Sequence, residues 1–168
     1  SHWVGLHYDF GNSMMVWEDP VEAAKKMAPY TYCTHFKDHI IIEEKDTEYG
    51  YLVCGVPAGT GNIDLDECFR IMVENSPLER INMEMCFPYC TTFKREPGAG
   101  GVSKVGEGAF AVKEPPYDRN LIKPLDYYFP HKAVSEDVIE KMMEDQLKGA
   151  EIGYKYLKSL RDKYCRNK

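Results

Sequence analysis

Three ionisable residues, Asp9, His35 and Glu84, each lie at or near the C-terminal end of a segment whose composition predicts a β-strand. In proteins built from parallel strands and helices, ligands bind at that edge of the sheet. Because side chains alternate along a strand, these three would point into one space if the strands were neighbours. One imidazole and two carboxylates form a mixed nitrogen and oxygen site suited to Mn²⁺, Co²⁺, Zn²⁺ or Mg²⁺.

Each of these residues also has a purely structural interpretation. Asp9 would cap a loop and His35 would be a core histidine with its hydrogen bonds satisfied. Glu84 would pair with Lys37, which lies on the same face of its strand as His35. For any single residue the structural interpretation is the better one. Three successive strand ends that carry ligand-type residues favour the metal site instead.

The elements that must position this site follow one another as strand, helix, strand, hairpin, helix and strand. Asp19 as N-cap, Pro20 at the first helical position and Pro29 as a stop mark the first helix. The other predicted segments are strands at 4–9, 30–36 and 81–87, a polar loop at 10–13, a hairpin at 40–54, a glycine loop at 55–62 and a helix at 64–74. Alternating strands and helices predict a parallel sheet with right-handed crossovers.

Two further segments complete the chain, which we interpret as one domain fragment over residues 1–168. Residues 88–132 are rich in Pro and Gly with interleaved aromatics, which is typical of a functional or partner-binding loop. Residues 135–165, with Ser135 as N-cap, show the apolar spacing of a long amphipathic helix. Three β/α units cannot close an eight-stranded barrel, so the chain forms either a small open sheet or part of a larger barrel.

Composition excludes several classes of protein. The 168 residues carry a net charge of −6, and 43% of them are hydrophobic, which excludes wholesale disorder. The acidic balance argues against a nucleic-acid partner, and no apolar run is long enough to span a membrane. The N-terminal residues do not form a signal peptide. The six cysteines are therefore expected to be reduced thiols in a cytoplasmic protein.

Several segments in this order resemble the sugar phosphate isomerase/epimerase family, the xylose isomerase-like TIM barrels. They are Val-Gly-Leu-His-Tyr-Asp-Phe-Gly-Asn at 4–12, Glu-Asp-Pro-Val-Glu at 18–22, Ala-Pro-Tyr at 28–30, Thr-His-Phe-Lys-Asp at 34–38, Val-Pro-Ala-Gly-Thr-Gly-Asn-Ile-Asp-Leu at 56–65 and Asn-Met-Glu-Met at 82–85. The resemblance implies an α/β fold in which residues 4–87 form the last three β/α units of the barrel.

The family's metal ligands at these strand ends match Asp9, His35 and Glu84. A fourth family ligand, a glutamate from an earlier strand, has no counterpart in the chain. The resemblance makes Glu84 both a ligand and the candidate catalytic base. Lys37 could polarise a carbonyl or bind an oxyanion, with an ion pair to Asp38 or Glu84 as the alternative.

The predicted substrate-binding residues are His7, Asn12, Lys37 and Asp38. Asp38 and His39 are expected to begin the loop above the strand that carries His35. Asn12 stands where family epimerases often carry a histidine, and an amide can donate a hydrogen bond but cannot shuttle a proton near neutral pH. The stretch Ile40-Ile41-Ile42 also lacks the arginine found after the histidine motif in some epimerases.

The expected activity is metal-dependent isomerisation or epimerisation of a ketose or related carbohydrate through an enediolate. The alternative is a lyase or dehydratase that performs β-elimination on a keto-sugar or an oxidised C-glycoside. An endonuclease IV-like phosphodiesterase and a non-catalytic sugar-binding subunit are less favoured. We expect an oligomer, completed by the N-terminal barrel half as another chain or a separate segment.

Overall fold

The computed structural model describes residues 3–15, 18–92 and 135–165. In chain order the elements are β1 (Leu6–Asp9), α1 (Phe10–Met15), α2 (Pro20–Met27), a 3₁₀ turn (Ala28–Tyr30), β2 (Thr31–Phe36), β3 (Asp38–Glu43), β4 (Tyr51–Val56), α3 (Leu65–Asn75), β5 (Asn82–Met83), β6 (Cys90–Thr92) and α4 (Glu136–Tyr164). None of the helices in these ranges combines the length and apolar composition needed to cross a membrane.

β1, β2 and β5 form a parallel sheet with β2 in the middle. The predicted parallel pairing of the three strands is therefore present. Asp9 is the register partner of His35, and the His35 backbone is in turn paired with Asn82. The third strand covers two residues rather than the predicted 81–87, and the Glu84 N–H extends it with a hydrogen bond to the Phe36 carbonyl at 3.1 Å.

β3, β4 and β6 form a separate antiparallel sheet. The hairpin predicted at 40–54 is confirmed, and its two strands extend by two residues beyond the predicted range at each end. β6 lies at the start of the predicted 88–132 loop, and the part of that loop from residue 93 onward lies outside the described residues. Cys54 and Cys90 face each other across β4 and β6 and form a disulfide. The prediction of six reduced thiols is therefore wrong for this pair.

The cap predicted at Asp19 is confirmed, since its carboxylate accepts the Val21 N–H at 2.8 Å at the start of α2. At the start of α3 the Asp64 carboxylate accepts the Glu67 N–H at 3.1 Å. Ser135 is the N-cap residue of α4 as predicted, but its side chain makes no capping hydrogen bond. α1 corrects the prediction of a polar loop after β1, because Phe10 and Met14 turn inward on one helical face and bury their side chains.

A row of aromatic rings connects the elements behind the parallel sheet. Phe10 of α1 lies 4.6 Å from Phe36 of β2, and Phe36 lies 5.8 Å from Phe69 of α3, measured between ring centroids. Phe69 stacks on Tyr164 at the end of α4, where Leu160 is also buried. The predicted C-terminal helix thus packs against α3, and it helps to hold the sheet edge that carries the candidate ligands.

Candidate metal centre

The three predicted ligands meet at the C-terminal edge of the parallel sheet. Their positions follow from the register, since Asp9 and His35 are neighbours across β1 and β2 and Glu84 comes directly after β5. His35 Nδ1 lies 3.3 Å from Glu84 Oε2 and 3.7 Å from Asp9 Oδ2. One ligand atom from each residue lies within 4.8 Å of the others.

These separations fit a divalent ion. Two donors bound to one ion at bond lengths of about 2.1 Å are roughly 3.0 to 3.5 Å apart, so the spacing between the His35 nitrogen and the two carboxylate oxygens requires only small side-chain adjustments. The side chains of Asp9, Glu84 and His35 are 14%, 35% and 42% exposed, which leaves a path from solvent to the site. The donor set of one nitrogen and two oxygens suits Mn²⁺, Co²⁺, Zn²⁺ or Mg²⁺.

Lys37 is the fourth member of the cluster. Its Nζ lies 2.8 Å from Asp9 Oδ2 and 2.6 Å from Glu84 Oε2, and its side chain is 9% exposed. Burial by itself lowers the pKa of Lys37, but the hydrogen bonds to Asp9 and Glu84 outweigh it, so the pKa is raised. The ammonium therefore keeps its proton and neutralises part of the carboxylate charge.

Two contacts expected from the purely structural interpretation of Asp9 and Glu84 are also present. Asp9 Oδ1 accepts the Asn12 backbone N–H at 3.2 Å, which caps the first turn of α1. Glu84 pairs with Lys37, as that interpretation also expected. These contacts use Oδ1 of Asp9 for the cap and leave Oδ2 for the cluster, so capping and ligation are compatible in the same residue.

His7 and Asn12 lie at the rim of the cluster. The His7 ring meets the His35 ring edge to face, with centroids 4.1 Å apart. Both residues are exposed, and Asn12 lies in the α1 turn that Asp9 caps. Their predicted contact with substrate stays a prediction.

The buried carboxylate of Asp38 holds the loop over residues 57–63. Its Oδ2 accepts the N–H groups of Gly59 and Gly61, both at 2.9 Å, and its Oδ1 accepts those of His39 at 2.9 Å and Ile63 at 3.4 Å. Burial raises the pKa of Asp38 to about 7, against the opposing effect of these donors. Both oxygens are thus occupied in holding the 57–63 loop, and the predicted contact of Asp38 with substrate stays a prediction.

Sequence reasoning missed the position of His39, which it placed at the start of a loop above the sheet. His39 is a buried residue of β3, and burial, together with the charge of Lys37, lowers its pKa to about 4. Its Nδ1 has no hydrogen-bond partner in the described part of the chain. The three isoleucines that follow His39 were the available signal, because they extend a buried strand back to it.

The cluster can hold a cation, accept a proton at a carboxylate and donate a hydrogen bond from an ammonium. No protein-family model, no curated protein and no solved structure matches the chain.

Proposed function

We propose that the chain carries the metal centre of a sugar isomerase or epimerase that acts on a ketose or related carbohydrate through an enediolate. The convergence of Asp9 Oδ2, Glu84 Oε2 and His35 Nδ1 at one sheet edge carries the proposal. The resemblance of residues 4–87 to the sugar phosphate isomerase/epimerase family supports it further. The ion would be Mn²⁺, Co²⁺, Zn²⁺ or Mg²⁺, held by these three residues.

A divalent ion in the site supplies Lewis acidity, which lowers the pKa of the carbon next to a substrate carbonyl. Glu84 then takes the proton from that carbon, and the electron pair of the broken C–H bond forms the enediolate double bond. Lys37 donates a hydrogen bond to the oxygen on which negative charge develops. Return of the proton from Glu84 to the neighbouring carbon, with a proton moved between the two substrate oxygens, gives the isomer. Epimerisation requires the proton to return from the opposite face of the enediolate, so it needs a second acid, a glutamate that we expect from the N-terminal barrel half.

The proposed partner is a polypeptide that continues the parallel sheet. In the described part of the chain, β1 and β5 each pair only with β2, so each leaves one edge with free backbone groups. Trp3 is 94% exposed, and Leu6 and Tyr32 beside β1 are also exposed. Strands of an N-terminal barrel half, in another chain or another segment, would cover these groups. We further propose a cytoplasmic oligomer. The net charge of −6 supports the absence of a nucleic-acid partner.

Metal binding and enolisation are tested separately. Isothermal titration of the full chain with Mn²⁺ should show one site, and Glu84→Gln should weaken binding by at least about tenfold because it removes an anionic ligand. Glu151→Gln is the matched control, since Glu151 is an exposed residue paired with Lys155 far along the chain on α4. Binding that is equally strong in Glu84→Gln would contradict the assignment of Glu84.

Enolisation is measured as deuterium incorporation from D₂O into candidate ketoses, followed by NMR, with the complete assembly. The proposal expects exchange at the carbon next to the carbonyl, lost in Glu84→Gln and retained in Glu151→Gln. Loss of a substituent together with exchange would identify the lyase instead. Metal binding without exchange in any carbohydrate would favour a non-catalytic sugar-binding subunit.

A further inference from the structure

The ammonium of Lys37 contacts the same two oxygens that the candidate metal centre offers to an ion. Nζ lies 2.8 Å from Asp9 Oδ2 and 2.6 Å from Glu84 Oε2. The other oxygen of Asp9 accepts the Asn12 N–H and holds the carboxylate in its present orientation. An ion bound by the cluster and the Lys37 ammonium would therefore share ligand atoms.

The aliphatic stem of Lys37 packs beside Gly11. Its side chain lies over Gly11, where an added Cβ would come within 2.8 Å of Lys37 Cε and 2.3 Å of His39 Nδ1. The Lys37 side chain is 9% exposed, so the ammonium is a buried element of the cluster and not a surface side chain that meets it by chance. Within the described residues, Lys37 forms ion pairs with these two carboxylates, Asp9 and Glu84.

The net charge of the cluster determines whether the Lys37 ammonium and a divalent ion can be bound together. Two carboxylates and one ammonium leave one negative charge, whereas two carboxylates and a divalent ion are neutral. If the ammonium and the metal ion were both bound, the cluster would carry one excess positive charge. The two cations would contact the same oxygens, and their mutual repulsion disfavours this arrangement.

We propose that Lys37 is a built-in competitor for the metal site: a divalent ion binds by expelling the Lys37 ammonium from Asp9 and Glu84, so Lys37 sets the metal affinity. The expelled ammonium then faces the space above the sheet edge as a separate cation for an anionic substrate oxygen. This inference rests on the proposed function insofar as the cluster binds a divalent ion.

The first test compares Mn²⁺ affinity by isothermal titration of the full chain in wild type, Lys37→Met and Lys25→Met. Methionine keeps the length of the side chain without its charge. Lys37→Met should bind Mn²⁺ about 10 to 100 times more tightly than wild type, since the ion no longer displaces a charge-assisted pair. Lys25→Met should match wild type, because Lys25 is exposed and its ion pair, with Glu22, lies away from the cluster.

The second test uses the wild-type chain and does not depend on the folding of a variant. Surface amines are acetylated with an N-hydroxysuccinimide ester at pH 8, with and without Mn²⁺, and each lysine is quantified by mass spectrometry. Acetylation of Lys37 should rise several-fold when Mn²⁺ is present, because the amine leaves the cluster. Acetylation of Lys155, an exposed lysine, should not change.

The outcomes separate the two proposals. Equal or weaker Mn²⁺ binding by Lys37→Met, or Lys37 acetylation that does not respond to Mn²⁺ in a chain that binds it, overturns the competitor role and leaves the metal site intact. If neither wild type nor Lys37→Met binds Mn²⁺, the metal centre itself is wrong and the competitor role is overturned with it.

Discussion

The imidazole of His39 lies directly against the backbone of Gly11, at a spacing that only glycine allows. A Cβ at Gly11 would come within 2.2 Å of His39 Cε1, and the neighbouring Lys37 Cε would be 2.8 Å away. α1 therefore approaches β3 closely enough to hold both side chains beneath the candidate metal centre.

Gly11→Ala should destabilise the protein by about 1 to 3 kcal/mol, because the added methyl group overpacks the contact with His39. Helix propensity alone predicts the opposite sign, since Ala is favoured over Gly in a helix. Gly153→Ala is the control: this α4 residue has a flexible neighbour, Met83 Sδ, at 3.2 Å, and Ala58 at 3.4 Å. Urea denaturation should show a loss of stability for the first substitution and little change or a gain for the second.

His39 should make the stability depend on pH. Its pKa falls from 6.5 in the unfolded chain to about 4 in the fold, through burial and the charge of Lys37, with Asp9 and Glu84 acting in the opposite direction. Above pH 6.5 neither state binds a proton there. As the pH falls from 6.5 to 4 the unfolded chain alone becomes protonated, which removes about 3 kcal/mol of stability.

This contribution is measured as the difference between wild type and His39→Gln in urea denaturation at pH 7.5 and pH 4.5. The raised pKa of Asp38 acts with the opposite sign over the same range, since the folded protein then binds a proton that the unfolded chain does not. Because Asp38 is present in both proteins, its contribution cancels in the difference. A stability difference that is the same at both pH values would contradict the assignment.

Asp38→Asn should destabilise the protein by about 2 to 4 kcal/mol, because the amide presents its own N–H groups to backbone N–H donors. The glycine donors Gly59 and Gly61 would lose their shared acceptor. Asp64→Asn, nearby in the chain, is the matched control, because Asn serves almost as well as Asp at a helix N-cap. Similar midpoints in urea for the two variants would show that the Asp38 carboxylate does not hold the loop.

Leu160→Ala should cost about 2 to 4 kcal/mol, since Leu160 is 2% exposed in the core between α4 and α3. Leu147→Ala, on the same helix and 73% exposed, should change stability by less than about 0.5 kcal/mol. The comparison by thermal or urea denaturation tests whether the end of α4 is part of the cooperative fold. Equal, small effects would show that the helix does not pack as described.

The sequence predicts the candidate site better than the structure around it. The site depends on patterns within short segments of the chain, whereas its surroundings depend on contacts between distant segments. The positions of Asp9 and His35 follow from local alternation and from the rule that parallel strands bring their C-terminal ends together. The cap of α2 at Asp19 is equally local. The buried roles of Asp38 and His39 depend on the glycine loop folding back over β3, which is a contact across more than twenty residues.

The helix α1 and the disulfide between Cys54 and Cys90 also depend on contacts that short sequence patterns do not reveal. α1 begins at Phe10, directly after β1, where the polar residues of the sequence predict a loop. The segment is a helix whose inner face is formed by the buried side chains of Phe10 and Met14. The pairing of Cys54 with Cys90 depends on β6 joining β4, and the separation of 36 residues carries no signal of that register.

Lys37 is the single residue between the end of β2 at Phe36 and the start of β3 at Asp38. The polypeptide passes from the parallel sheet to the antiparallel sheet through its backbone, so a rotation of one sheet against the other must be absorbed there. The residue that joins the two sheets is thus also the residue whose ammonium pairs with Asp9 and Glu84.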